Sequence, residues 1–193
     1  MLRQRGDTII EVLLAITVFA LVVTGVIAIM NQGVNASQRS LEVTLVKQQI
    51  DAQAEALRAA QQDYLAGNKT GAWQSIKTLS DSTVPSAGST CPAFSAYPAS
   101  VFAMNGRTAT YIAGNNNVTI RTMDQASVPP YAQVTYSPTG TPTVYGLWIE
   151  RQTVSGSGNM PRAFDFVIHA CWYGPGLRVP MTLQTTVRLY DSN

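Results

Sequence analysis

A chain of 193 residues suits one domain with an appendage and is cramped for two large domains. Hydrophobic residues make up 46% and charged residues only 12%, about half the charged share of an ordinary soluble domain. The net charge of +2 gives no argument for an anionic surface as partner and leaves nucleic acid undecided.

The chain opens with Met-Leu-Arg-Gln-Arg-Gly, in which Arg3 and Arg5 precede Gly6. Asp7-Thr8-Ile9-Ile10-Glu11 follows, and then Val12 to Met30, 19 residues without a charge. As a helix that run spans roughly 28 Å, enough to cross a bilayer core. No basic residue follows Arg5 until Arg39, and basic residues stay on the cytoplasmic side. The expectation is a single-pass protein with its short N-terminus inside and the rest outside. A cleaved secretory signal has an apolar region of about 7 to 15 residues, and this run is too long, although Val34-Asn35-Ala36 could serve as a cleavage site. An uncleaved signal anchor fits the length. Neither explains Glu11, since a carboxylate in an apolar membrane helix costs about 2.5 to 3.5 kcal/mol and calls for a partner.

The combination of a short basic leader, Gly6, Glu11 five residues later and an unbroken apolar helix resembles the class III signal of type IV prepilins and related pseudopilins. The resemblance covers about 30 of the 193 residues directly. It implies cleavage by a prepilin peptidase between Gly6 and Asp7 and N-methylation of Asp7. It also gives Glu11, at the fifth mature position, the role of pairing with the new amine of a neighbouring subunit. Asp7 departs from the phenylalanine or methionine usual at the first mature position. Cleavage would remove Arg3 and Arg5, which hold the helix to the cytoplasmic face, and would create the amine that Glu11 requires. The partners implied are membrane lipid before assembly, the peptidase, an inner-membrane assembly platform and other pilin subunits in a homo- or heteropolymer. The resulting surface filament would serve adhesion, twitching motility or DNA uptake. The resemblance leaves open an abundant subunit, a minor one or a secretion pseudopilin.

Beyond Met30 the pattern turns amphipathic. Val43, Val46, Ile50, Leu57 and Tyr64, with Gln53 and Ala60 between, recur at alternating steps of three and four, which is one helical stripe. Arg39, Glu42, Lys47, Gln48, Glu55 and Gln62 are expected on the opposite, solvated side. Gly67-Asn68 is a stop signal, so one helix should run from about Thr8 to Ala66. Gly25 is its weak point, since a mid-helix glycine costs about 1 kcal/mol relative to alanine.

The expected organisation is therefore a leader over 1–6, a membrane or filament-core helix over 7–30, an amphipathic half over 31–66 and a connecting loop over 67–100. The loop carries a short helix near Trp73 to Leu79. An antiparallel β head over 101–193 completes an α+β fold, a long helix packed on a sheet. Strand signals lie at 101–105, 108–113, 117–123, 131–137, 143–153, 162–173 and 178–190. Phe164, Phe166, Ile168 and Ala170 should share the inner face of one strand, and Met181, Leu183, Thr185, Val187 and Leu189 that of the last.

Cys91 and Cys171 fit no zinc spacing. In an exported head a disulfide is the default, the alternative being two buried thiols. His169, the only histidine, lies two residues from Cys171 on one strand face, but nothing in the sequence orients the pair as a nucleophile and base. No nucleophile elbow, phosphate-binding loop or metal cluster occurs, so neither enzymatic activity nor a cofactor is expected. The other class that fits is an extracellular binding module held by an uncleaved signal anchor and not assembled into filaments.

Overall fold

The computed structural model describes residues 7–84, 88–93, 100–107, 110–113, 120–121, 129–136, 142–156 and 162–191. The leader expected over 1–6 lies outside them, as do parts of the loop and of several expected strands. The fold is α+β. Helix α1 runs Asp7–Leu65 and a short helix α2 spans Ala72–Thr78. Eight strands follow: β1 Phe102–Asn105, β2 Thr110–Ala113, β3 Ile120–Arg121, β4 Gln133–Tyr136, β5 Pro142–Tyr145, β6 Leu147–Val154, β7 Ala163–Trp172 and β8 Met181–Tyr190. The chain divides into two compact units, one ending at Leu41 and the other running Glu42–Asn193.

In the first unit every side chain from Ile9 to Gln38 is exposed. The helix passes through Gly25 without interruption. In the second unit the expected stripe is the buried one. Val46, Ile50, Leu57 and Ala60 of α1 lie in the core with Phe102, Phe164, Phe166 and Ile168 of the sheet. Full burial of the valine, isoleucine, leucine and phenylalanine side chains among these contributes about 1.5 to 3 kcal/mol each. Trp73 and Ile76 of α2 join the same core, and the Trp73 ring lies 5.8 Å from that of Phe166. Gly67, with φ of 115°, ends α1 in a conformation that favours glycine.

A five-stranded antiparallel sheet has the order β2-β1-β6-β7-β8, and a second sheet the order β3-β5-β4. Three expectations need correction. The head is not antiparallel throughout, because β3 pairs parallel with β5. The strand expected over 143–153 is two strands: Gly146, with φ of 60°, breaks it, so that β5 belongs to the small sheet and β6 to the large one. Third, Glu42 is not on a solvated side. Its side chain is buried, and Trp172 donates its indole N–H to Glu42 Oε2 at 3.2 Å.

Side-chain amides of α1 complete the strand hydrogen bonding. β1 meets β6 only at Phe102 opposite Ile149. Two residues on, Gln53 Oε1 accepts the Met104 amide at 2.6 Å and Gln53 Nε2 donates to the Met104 carbonyl at 2.9 Å. Gln53 thus stands where a partner strand would. Gln49 Oε1 accepts the Val134 amide of β4, and Gln61 Nε2 donates to the Tyr190 carbonyl of β8. Each is a buried or edge backbone group that would otherwise lack a partner.

Candidate assembly segment on the N-terminal helix

Among the described residues, one helix is long and apolar enough to cross a membrane, and it is the N-terminal one. Three polar side chains interrupt its run from Ile9 to Met30: Glu11, Thr17 and Thr24. The helix itself satisfies both threonines. Thr17 Oγ1 donates to the Leu14 carbonyl at 2.8 Å, and Thr24 Oγ1 reaches the carbonyls of Ala20 and Leu21 at 2.9 and 3.0 Å. Such back-bonding lets a hydroxyl sit in an apolar medium at little cost.

Glu11 differs. It is the only charged residue between Ile9 and Gln38, it is exposed, and no ion pair or hydrogen bond to it occurs among the described residues. The helix cannot supply a cation, because the next basic residue is Arg39, 28 positions and about eight turns further on. Asp7, at the first position of α1, stands one turn before Glu11, so the two lie on one side of the helix. Gly6, Arg3 and Arg5 lie outside the described residues.

The head carries the second group of chemistry-bearing residues. Cys91 and Cys171 form a disulfide with a Cα–Cα distance of 5.7 Å across 80 positions of sequence. It joins the segment after α2 to β7. Further hydrogen bonds tie α2 and that segment to β6. The Ser82 amide donates to the Arg151 carbonyl at 3.0 Å, and the Arg151 guanidinium donates to Asp81 Oδ1 at 2.9 Å and to the Lys77 carbonyl at 2.8 Å. The Val84 amide donates to Glu150 Oε1 at 3.0 Å.

Glu150 is buried, and its Oε1 also accepts the Trp148 indole N–H at 2.9 Å. His169 stacks on Trp148 with ring centroids 5.0 Å apart, and its Nε2 lies 3.4 Å from the same oxygen without hydrogen-bond geometry. Burial alone would raise the Glu150 carboxyl. The neighbouring His169, Trp148 and the Val84 amide outweigh it and hold the carboxyl below the usual range. His169 therefore has Glu150 and Trp148 as its neighbours, while Cys171 is committed to the disulfide. Sequence reasoning placed His169 beside Cys171 along one strand and missed the pairing across to β6, where Trp148 stands opposite His169.

Comparison with known protein families, curated proteins and solved structures finds no match. What can be said of function rests on the residues. Trp148 and Trp172 are both buried, and Tyr145 and Tyr173 are partly buried against the same core. Among the described residues no group of three or more His, Cys, Asp or Glu could hold a metal ion.

Proposed function

We propose that this chain is a structural subunit of a surface filament, similar to the type IV pilins. It would be cut after Gly6 and assembled through its apolar helix. One observation carries the reading. Of the three polar side chains in the apolar run of α1, two are satisfied by the helix and only Glu11 is left needing a partner from outside. An amine freed at Asp7 of a neighbouring subunit is such a partner, and pairing would offset the cost of a lone charge in an apolar core. The exposed apolar side chains from Ile9 onward would be covered by lipid before assembly and by other copies after it. The disulfide-closed head would stay outside the membrane, on the oxidising side.

The reading is tested on fibres sheared from the cell surface. This chain should be found in them by mass spectrometry, in a fixed ratio to any other subunit. Cells that display the chain in their membranes and release none of it with sheared fibres would favour a signal-anchored module instead.

A further inference from the structure

β1 ends at Asn105, which pairs with Thr110 at the start of β2, and Gly106 follows it in the turn between the two strands. Asn105 is half-buried, and Gly106 and Arg107 are exposed to water. An asparagine followed by glycine is open to a reaction that other pairs undergo slowly. The backbone nitrogen of the second residue attacks the side-chain amide carbon of the first, and glycine puts no side chain in the way.

Both reacting groups are engaged in the folded head. The Gly106 N–H donates to the Tyr136 hydroxyl at 3.1 Å, and Asn105 Oδ1 accepts the Arg107 amide at 3.1 Å. Tyr136 is the last residue of β4, in the other sheet. The Arg107 guanidinium lies 4.2 Å from the centre of its ring, a cation–π contact that seats the phenol against the turn. The approach is close, since a Cβ at position 106 would lie 3.3 Å from the tyrosine oxygen. When this N–H loses its proton, the electron pair left behind lies along the former bond, toward Tyr136. It has to be turned onto Asn105 Cγ before a ring can close, and that turn breaks the hydrogen bond.

We propose that Asn105–Gly106 is a self-modification site that Tyr136 holds closed. When the hydroxyl lets go, the Gly106 nitrogen gives its proton to hydroxide and bonds to Asn105 Cγ. The Cγ–Nδ2 bond breaks, and ammonia leaves with a proton taken from water. Water then opens the five-membered imide at either carbonyl, leaving aspartate or isoaspartate at position 105. Either product adds a negative charge beside Arg107, and isoaspartate also lengthens the backbone at the end of β1. The site lies wholly within the head, so the inference does not depend on assembly of the apolar helix.

The test keeps the full chain in detergent micelles at mildly alkaline pH and follows the peptide containing position 105 by mass spectrometry. Folded wild type should convert more slowly than the same chain unfolded in urea. Tyr136→Phe keeps a ring under Arg107 and removes only the hydroxyl. Loss of one hydrogen bond of ordinary strength should then raise the rate about two- to twelvefold over folded wild type. Adding Gly106→Ala should bring the rate back down, because a methyl group hinders the attacking nitrogen. Thr153→Ala removes a hydrogen bond to Asp81 elsewhere in the head and should leave the rate at the wild-type level, which separates release of the turn from general loosening. If Tyr136→Phe does not melt cooperatively, Arg107→Ala takes its place with the same rise expected. The proposal is overturned if folded wild type converts as fast as the unfolded chain, or if the folded variant that frees Tyr136 converts no faster than wild type or than Thr153→Ala. It is also overturned if Gly106→Ala leaves the raised rate unchanged.

Discussion

Glu11 and Glu42 stand on the same helix and differ in where their partners come from. Glu42 is buried in the head, and the Trp172 indole reaches it from 130 positions away in sequence. Glu11 lies in the exposed apolar stretch with no partner among the described residues. A fold can complete the polar groups that its own core encloses. On the reading proposed above, the charge that remains in an otherwise self-satisfied apolar helix is completed by another molecule.

Glu11→Gln and Glu42→Gln separate the two cases most sharply. Removing one partner of a buried ion pair costs about 3 to 5 kcal/mol, so Glu11→Gln should reduce fibre yield by about two to four orders of magnitude while leaving the thermal midpoint of the head unchanged. Glu42→Gln keeps an acceptor for Trp172 and should do the reverse, lowering head stability by about 1 kcal/mol and sparing the fibres. Fibre mass after shearing and thermal denaturation followed by circular dichroism read the two effects.

Cutting the Cys91–Cys171 bond comes next in size. Closing a loop of about 80 residues is worth about 4 kcal/mol on the chain-entropy argument, so Cys91→Ser with Cys171→Ser should lower unfolding free energy by that order in denaturant titration. Gln53→Ala leaves the Met104 N–H and C=O buried and unpaired, for a loss of about 1 to 3 kcal/mol with the disulfide intact. The smallest effect is the response to acid. The hydrogen bond from Arg188 holds the Asp165 carboxyl below its ordinary value, against opposing burial. At Glu150 burial raises the carboxyl, and the neighbouring donors more than reverse it. Each carboxyl binds fewer protons in the folded than in the unfolded state, so each stabilises the fold above the ordinary carboxylate range of about 4. That stabilisation is lost as pH falls through the folded-state values. Glu150→Gln should flatten the stability curve below about pH 4 and leave its shape at neutral pH unchanged.

Local pattern carried much of the fold. The heptad-like stripe from Val46 to Ala60 is the buried face of α1, and Gly67 ends the helix as its backbone freedom suggests. The alternation in β7 and β8 matches the burial seen there. The misses are all non-local. Nothing near Glu42 in sequence announces the Trp172 indole. A glycine between two strand-like runs does not reveal that the runs join different sheets, as Gly146 makes them do. Gln53 stood in the stripe as a polar interruption, and its purpose appears only once β1 is seen to outrun its partner at Ile149. The candidate site is different in kind. Glu11 stood out because its surroundings are uniform, and uniformity is visible without a structure.

The central claim is that Glu11 is matched by an amine that proteolysis creates. Intact-mass and N-terminal peptide analysis of the chain extracted from membranes and fibres tests it most directly. The account predicts a mature chain beginning at Asp7, with the first six residues removed. A chain that keeps Met1 in assembled fibres would contradict it.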